Sequence, residues 1–239
     1  MLLKGKHTVL EALKNSPDTL SKIVFCKGIK FQDRVIEIAD LAKQFQIQLI
    51  TLDKRAFEQE CDDPNTQNVI AYSQSIAHMD IKELISKKDR FQKVVILDHI
   101  EDPFNFGAIL RSCAAFGIDA VMYSKHRQSS INAGVIKASS GAVYHIPLVS
   151  VSNIAQSLQV LDKAGFWIYG TDVNNGTSLP KFSPNPPYAL VIGNEKKGIS
   201  KTVSKFLHDR INIPMHGNMD SLNVSVATGI LLYQLTQAD

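Results

Sequence analysis

The 239-residue sequence is poor in cysteine and in long apolar runs. Its three cysteines, Cys26, Cys61 and Cys113, share no close spacing, so neither a zinc site nor a disulfide framework is indicated. No stretch approaches the ~18 consecutive apolar residues of a membrane-spanning helix. The N-terminus also lacks the apolar core and cleavage site of a secretory signal. These absences predict a cytoplasmic protein with no membrane partner and no metal.

The sequence also lacks the two common glycine-rich nucleotide motifs. Gly193 and Gly198 bracket a charged loop, but Ile199 stands where a Walker-type phosphate loop requires lysine. No G-x-G-x-x-G follows a strand-like run, which counts against an NAD-dependent enzyme as well as a nucleotide triphosphatase. The net charge of +3 is a weak indication of a polyanionic partner, and the excess lies downstream of residue 73.

What is present is the pattern of an ordinary globular α/β protein, with 44% hydrophobic and 21% charged residues. In residues 1–73, a strand-like run, a long amphipathic helix and a second strand-like run predict a βαβ crossover. These runs are 22–26, 31–46 and 47–52, with a short helix before them at 8–13 and a strand after them at 68–72. Residues 74–92 are polar and charged, with one charged helical stretch, and are typical of a linker.

From residue 93 onward, apolar strands and helical patterns alternate regularly, which predicts a parallel sheet covered by helices. The strands are expected near 93–98, 119–123, 144–149, 166–170, 188–192 and 210–213. The helices are expected near 105–116, 131–138, 152–164, 200–206 and 221–236. In such a sheet, ligands bind beyond the carboxyl ends of the strands.

Three strand–loop–helix junctions carry both glycine and unusual polar residues, at 98–111, 190–200 and 213–227. Taken singly, each is explained by a capped helix or a solvated turn, because Asn and Ser are common N-caps. Ser221 is the expected N-cap of the last helix, whose free N–H groups favour negative charge. Three such junctions in one sheet nevertheless predict a single site at one edge.

The junctions resemble the three motifs of SpoU-type (TrmH-like) RNA 2′-O-ribose methyltransferases, in the SPOUT superfamily, over about residues 93–236. The matching stretches are Asn105-x-Gly-x-x-x-Arg111, Gly193-x-Glu195-x-x-Gly198 and Ile213-Pro214-Met215-x-Gly217-x-x-x-Ser221-Leu222-Asn223-Val224-Ser225. The N-terminal segment resembles the small RNA-binding domain of the branch that includes the 23S rRNA guanosine-2′-O methyltransferase. Its matching stretches are Gly5-Lys6-His7-x-Val9-x-x-Ala12-Leu13 and Gln67-Asn68-Val69-Ile70-Ala71.

The resemblance implies an α/β knot: a parallel sheet flanked by helices, with a deep C-terminal trefoil knot that general topology rules would not predict. It implies an N-terminal L30e-like RNA substrate-binding domain at 1–73, a linker at 74–92 and a catalytic domain at 93–239. It further implies a homodimer, S-adenosylmethionine as cofactor and RNA as substrate, most closely a guanosine of 23S rRNA.

The motif positions carry over site residues in three groups. The functional set is Asn105, Arg111, Glu195, Ser221 and Asn223. Cofactor contacts are expected from Thr171, Gly193, Ile213 and Leu222, and phosphate contacts from Lys125, Arg127, Lys137, Lys196 and Lys197.

Arg111 is a poor general base, because a guanidinium stays protonated in proteins. We therefore expect Arg111 to stabilise the developing alkoxide, while Ser221 and Asn223 orient the ribose and the cofactor. Glu195 is expected to hold either its own loop or Arg111 by a charge-assisted hydrogen bond.

Two departures from the family pattern matter: the first bears on the pliancy of the second-motif loop or its reach toward RNA, and the second weakens the assignment to one specific rRNA position. Lys196 replaces the glycine usually found after the second-motif glutamate, and Thr66-Gln67-Asn68 replaces a common His-Gln-Gly. One alternative is a tRNA 2′-O-methyltransferase, although minimal tRNA enzymes of the family generally lack the N-terminal module. The other is a catalytically inactive RNA- or ribosome-binding relative, which would be expected to have lost some of the motif residues.

Overall fold

The computed structural model describes residues 1–63, 66–74, 76, 78–126, 129 and 131–237. Residues 1–73 contain a four-stranded sheet of order β1-β4-β2-β3. Its strands are β1 (Leu2–Lys4), β2 (Leu20–Cys26), β3 (Gln48–Leu52) and β4 (Val69–Ser73). Strands β2 and β3 are parallel, and β4 is antiparallel to both β1 and β2. The predicted βαβ crossover is confirmed.

Three helices accompany this sheet: α1 (Lys6–Asn15), α2 (Asp33–Gln44) and α3 (Lys54–Glu60). Helix α2 is the crossover between the parallel strands and buries Val35, Ile38 and Ala42. Helix α1 is longer than its sequence pattern predicted. Strand β1 and helix α3 were missed because they are too short for periodicity to distinguish them from loops.

The second sheet has eight strands in the order β10-β12-β9-β11-β6-β7-β8-β5, and all of its strand pairs are parallel. The strands are β5 (His78–Met79), β6 (Lys93–Asp98), β7 (Ala120–Ser124), β8 (Leu148–Val151), β9 (Trp167–Thr171), β10 (Thr177–Ser178), β11 (Tyr188–Gly193) and β12 (Asp209–Asn212). Five of the six strands expected in this part of the chain lie at their expected positions; the one expected at 144–149 begins only at Leu148 and runs to Val151.

Helices cover both faces of the second sheet, because its central strands are apolar on both sides. Val95 and Leu97 of β6 belong to one core cluster, whereas Val94 and Ile96 belong to another on the opposite face. Buried residues of α5 (Pro103–Ala115), α6 (Ala133–Ser139) and α8 (Val224–Thr236) pack in the first cluster. Those of α4 (Ile81–Ser86) and α7 (Ile154–Lys163) pack in the second.

Two expectations for the C-terminal third are wrong. The helix expected at 200–206 is only a turn that ends in a short 3-10 segment, Ser204–Phe206. Ser221 is not the N-cap of the last helix. Helix α8 begins at Val224, and the Asn223 side chain caps it by accepting hydrogen bonds from the N–H groups of Ser225 and Val226.

Residues 74–92, expected as a linker, contribute to the second sheet. His78 and Met79 form β5, which pairs with β8 at the sheet edge. Leu84 of α4 is fully buried in the second core cluster. None of the described helices combines the length and hydropathy that a bilayer crossing requires.

The two sheets are joined through a direct contact between α1 and α6. Gly141, at φ 82° just beyond α6, faces the Ser16 hydroxyl and the Asn15 carbonyl oxygen at the end of α1. A hydrogen bond joins Ser73 Oγ to the Tyr144 hydroxyl at 3.2 Å. The N-terminal part therefore packs against the helix that lies beside α5.

We expect Gly141→Ala to weaken this contact. The new methyl group would clash with Ser16 and Asn15, and the left-handed backbone alone costs about 1–2 kcal/mol with a side chain. Gly165→Ala is the matched control, since Gly165 has φ 90° but open space around its Cβ position. In urea unfolding, Gly141→Ala should lower the free energy of unfolding more than Gly165→Ala. Equal losses would mean that the contact does not stabilise the fold.

Candidate functional site

The loops that follow β6, β9, β11 and β12 meet at one edge of the second sheet. These four strands are neighbours and parallel, so their carboxyl ends point the same way. This is the edge at which ligands bind in open α/β sheets. The three polar junctions of the sequence follow β6, β11 and β12, and the structure brings them together there.

A cavity of about 450 Å³ opens between the loops after β9, β11 and β12 and the start of α8. Its wall includes all four residues expected to contact a cofactor: Thr171, Gly193, Ile213 and Leu222. Glu195, Lys196, Lys197 and Ser221 also line it. The mixture of aliphatic side chains, backbone groups and charges suits a small organic ligand with apolar and polar parts.

Steric constraints explain why glycine occupies two positions of the second motif. A Cβ at Gly193 would clash with the backbone of Gly198 and Ile199. The chain between them folds back, with Asn194 N donating to Gly198 O at 3.1 Å and Gly198 N donating to Asn194 O at 2.9 Å. Gly198 has φ 65°, which suits glycine. The loop is thus a tight turn, and Gly193 leaves room for close approach of backbone groups.

Three of the five residues in the predicted functional set are hydrogen-bonded to one another. Asn223 Nδ2 donates to Asn105 Oδ1 at 3.0 Å. Asn105 Nδ2 in turn donates to Glu195 Oε1 at 3.1 Å. Since Asn223 also caps α8, one chain of bonds connects the start of α5, the loop after β11 and the start of α8. Residues up to 118 positions apart in sequence thereby fix each other's orientation.

Asn194, which was not singled out from the sequence, extends this chain. Its Oδ1 accepts hydrogen bonds from the N–H groups of Lys196 (3.0 Å) and Lys197 (3.2 Å). Its Nδ2 donates to His99 O at 2.8 Å and to Glu195 Oε2 at 3.2 Å. Asn194 thus shapes the charged loop and ties it to the loop after β6. The sequence signal was an Asn directly after a strand, where Asx turns form.

Asp98 is a second missed residue, and its carboxylate is almost fully buried (1% exposed). Asp98 Oδ2 accepts a hydrogen bond from Ser200 N at 2.8 Å, and Oδ1 lies 2.7 Å from His99 Nδ1. His99 adopts a left-handed φ of 68°. The sequence could have pointed to Asp98, because it is a single carboxylate directly after the apolar run Val94–Leu97. A carboxylate buried at such a position needs hydrogen-bond partners.

Arg111 and Ser221 lie outside the hydrogen-bonded chain. Arg111 is exposed, and it has no hydrogen bond or ion pair to any residue that the structure describes. Arg111 lies six residues after Asn105 on α5, so the two side chains point to different sides of the helix, about 240° apart around its axis. Glu195 bonds to Asn105 and Asn194 rather than to Arg111, so it holds its own loop. Ser221 is exposed and lines the cavity.

The residues expected to contact RNA are dispersed. Lys196 and Lys197 are exposed on the loop that lines the cavity. Lys125 is exposed directly after β7, and Lys137 is exposed on α6. Arg127 lies outside the described residues. In the described part of the chain, no group of three or more His, Cys, Asp or Glu side chains is arranged to hold a metal ion.

An ion pair that the sequence did not indicate also lines the cavity. Arg210 Nη1 donates to Asp172 Oδ2 at 2.9 Å. Burial opposes ionisation of Asp172, but the N–H groups of Asn174 and Asn175 and the Arg210 cation outweigh it and lower the pKa of its carboxyl group. Asp172 is therefore a stable anion at neutral pH.

Comparison with known sequences finds relatives along almost the whole chain. Residues 92–233 match the SpoU rRNA methylase family. Residues 2–77 match a domain described as RNA 2′-O ribose methyltransferase substrate binding. A Staphylococcus saprophyticus protein assigned to the TrmH family of tRNA/rRNA methyltransferases is 35% identical, over 98% of this chain and 94% of its own length.

Solved structures agree in fold. A TrmH-family RNA methyltransferase structure from Porphyromonas gingivalis covers 100% of this chain and 90% of its own, with TM-score 0.69 and 24% identity. An rRNA methyltransferase from Sinorhizobium meliloti, solved with AdoMet bound, covers 99% and 87%, with TM-score 0.66 and 20% identity. The expected α/β fold, a parallel sheet flanked by helices as in SPOUT methyltransferases, is confirmed. By its sequence, this chain belongs to the SpoU (TrmH-like) family of RNA methyltransferases.

Proposed function

We propose that this protein transfers a methyl group from S-adenosylmethionine to a ribose 2′-hydroxyl of RNA. One observation carries the proposal. The bonded residues Asn105, Glu195 and Asn223 stand beside the same cavity that Thr171, Gly193, Ile213 and Leu222 line. The cavity thus combines a wall for a small molecule with a polar rim that is fixed in position.

The residues present fit S-adenosylmethionine. The volume of about 450 Å³ lies within the ~300–1,000 Å³ typical of small-molecule sites. Ile213, Leu222 and Leu231 offer apolar surface for the adenine ring, while Gly193 allows close backbone contact. When bound, the cofactor supplies an electrophilic methyl group on its sulfonium. The AdoMet complex of the S. meliloti structure supports the same cofactor here.

A knotted C-terminal segment is part of the proposal. In the family, the segment that follows the last strand is threaded to form a deep trefoil knot, and the cofactor binds bent against it. Residues after β9, β11 and β12 of this chain line a single cavity, which agrees with that arrangement.

The chain's own residues can position the ribose and stabilise charge. Methyl transfer needs an in-line 2′-oxygen, loss of its proton and exclusion of water. Asn223 and Ser221, at the start of α8, would orient the ribose and the cofactor. Glu195 would hold Asn105 and the charged loop in place. Arg111, exposed on α5, would reach the RNA and stabilise the developing alkoxide, while its planar fork also holds the adjacent phosphate.

Replacing Arg111 tests the catalytic part of this assignment. We expect Arg111→Ala to lower kcat roughly 10²–10³-fold, because one donor to a developing anion is lost. S-adenosylmethionine affinity, measured by calorimetry, should stay unchanged. Arg111→Lys keeps the positive charge but not the planar guanidinium, so its kcat should lie between those of the wild-type protein and Arg111→Ala. A wild-type rate for Arg111→Ala would remove Arg111 from the mechanism.

For the substrate we propose rRNA, with a guanosine of 23S rRNA as the first choice and the cytoplasm as the location. The N-terminal part carries the argument, because minimal tRNA enzymes of the family generally lack it and residues 2–77 match a substrate-binding domain. We propose residues 1–73 as that L30e-like RNA-binding domain and 93–239 as the catalytic domain. Residues 74–92, expected from the sequence as a linker, connect the two and add β5 and α4 to the catalytic part. Phosphate contacts are proposed for Lys125, Arg127, Lys137, Lys196 and Lys197.

Mapping the modified nucleotide tests the substrate directly. Unmodified total RNA is incubated with the protein and methyl-labelled S-adenosylmethionine, with Arg111→Ala as the matched control. A 2′-O-methyl group blocks alkaline cleavage at its own phosphodiester, so a single gap in the hydrolysis ladder locates the site. We expect that gap at one guanosine of 23S rRNA. Label in tRNA would favour the tRNA alternative, and cofactor binding without any transfer would favour an inactive relative.

We also propose a homodimer through the exposed face of α8. Val226, Ile230 and Tyr233 recur at helical spacing and are 51%, 40% and 55% exposed. The opposite face of the helix buries Leu231, Leu232 and Leu235. An apolar stripe of this kind beside the cavity suits a second copy of the chain, as family membership leads one to expect.

A charge in this stripe should separate the subunits. We expect Ile230→Glu to shift the protein from dimer to monomer in sedimentation experiments, because the carboxylate would be buried without a partner. Val160→Glu is the control, since Val160 is equally exposed (42%) but lies on α7. Monomeric wild-type protein, or dissociation by both variants, would contradict the proposed interface.

A further inference from the structure

We propose that Asp172 and Arg210 are positioning residues that hold the loop after β9 as a wall of the cofactor cavity, and so set the affinity for S-adenosylmethionine. This inference rests on the proposed function. Neither residue belongs to the three motifs. Both line the cavity, together with Val173 and Asn174 of the same loop.

Asp172 organises the loop through three hydrogen bonds. Its Oδ1 accepts from the N–H groups of Asn174 at 3.0 Å and Asn175 at 3.1 Å, which forms a tight turn directly after β9. Its Oδ2 accepts from Arg210 Nη1 at 2.9 Å. One oxygen therefore shapes the turn and the other fastens it, so the two roles can be separated by substitution.

Arg210 provides a fixed anchor because it lies within β12. Its backbone pairs with Gly170 of β9, so the guanidinium reaches the loop from a neighbouring strand. The side chains of Arg210 and Asp172 are 35% and 21% exposed. The pair is thus partly shielded from solvent, where an ion pair retains more of its strength than on an open surface.

Two further contacts fasten the far end of the loop to the same strand. Gly176, at φ 113°, packs so closely on the Arg210 backbone that a Cβ would clash with it. Asn212 Nδ2 donates to Gly176 O at 3.1 Å. At the near end, Asp172 N also donates to Ile211 O at 3.0 Å. The segment 172–176 is therefore attached to β12 at both ends, and the ion pair is its side-chain attachment on the cavity side.

A preorganised wall binds a ligand more tightly than one that must be ordered on binding. Breaking the ion pair leaves the turn and the backbone bonds to β12 intact but loosens the cavity side of the loop, so the cofactor must then order it. We expect a roughly 5–10-fold weaker affinity, about the cost of ordering one or two side chains. The chemical step should not change once the cofactor is bound, because neither residue belongs to the proposed reacting set.

The experiment compares Asp172→Asn, Arg210→Met and the double variant with wild-type protein. Asp172→Asn keeps an oxygen for the Asn174 and Asn175 N–H groups while removing the charge. Glu83→Gln is the control, because it breaks an exposed ion pair, Lys87 Nζ to Glu83 Oε1 at 2.7 Å, on α4. Cofactor Kd is measured by calorimetry, kcat and both KM values by methyl transfer, and the fold of each variant by circular dichroism.

Both single variants should raise Kd and KM for S-adenosylmethionine about 5–10-fold, with kcat and the RNA KM unchanged. The double variant should bind S-adenosylmethionine as tightly as the single variant with the lower affinity, since each single substitution already removes the ion pair. Arg210→Lys should restore part of the affinity. Unchanged cofactor affinity, a fall in kcat at saturating cofactor or additive effects would overturn the role of the pair. Wild-type protein that binds no S-adenosylmethionine would instead overturn the proposed function, and the role of the pair with it.

Discussion

The hydrogen bonds from Asn223 through Asn105 to Glu195 are the interaction on which the rest of the site depends. Each of these side chains begins or follows a different element, so none can move without loosening another. Asn194 continues the chain to the backbone of His99, and the buried Asp98 carboxylate holds Ser200 at the far end of the same loop. The parallel sheet supplies the frame, because it brings four carboxyl strand ends to one edge.

Polar side chains hold the irregular backbone of these loops. Asn194, Asp172 and Asn223 each accept hydrogen bonds from two N–H groups just downstream in sequence. Two of these residues follow a strand directly and the third starts a helix. Loops with so many local bonds lose little entropy when a ligand binds, which is the condition for a preorganised site.

The N-terminal part is not an independent appendage in this structure. Helix α1 packs on α6, and α6 packs closely on α5, where Gly107 leaves no room for a Cβ beside Val135 and Ala138. Helix α5 carries Asn105 and Arg111. An RNA held by the N-terminal part would therefore meet the cavity at a defined distance and angle, which suits a methyltransferase that must select one ribose.

The sequence by itself determined the longer strands and helices of the second sheet, apart from the segment 200–206, and the edge at which the three polar junctions meet. These are local properties: apolar runs, helical spacing and short motifs whose residues are chemically distinctive. Thr171, Gly193, Ile213 and Leu222 could be assigned to one cavity wall because family motifs carry that information. Short elements such as β1 and α3 left too little periodicity to be predicted.

Only the tertiary structure decided which side chains meet. Asn223, rather than Ser221, caps α8, because its side chain reaches two N–H groups and Asn105 at once. Glu195 bonds to Asn105 and Asn194 rather than to Arg111, which lies on another side of α5. Asp172 and Arg210 are 38 positions apart and share no motif, yet neighbouring strands bring them within 2.9 Å. Such pairings depend on sheet order and strand register, which no local stretch of sequence encodes.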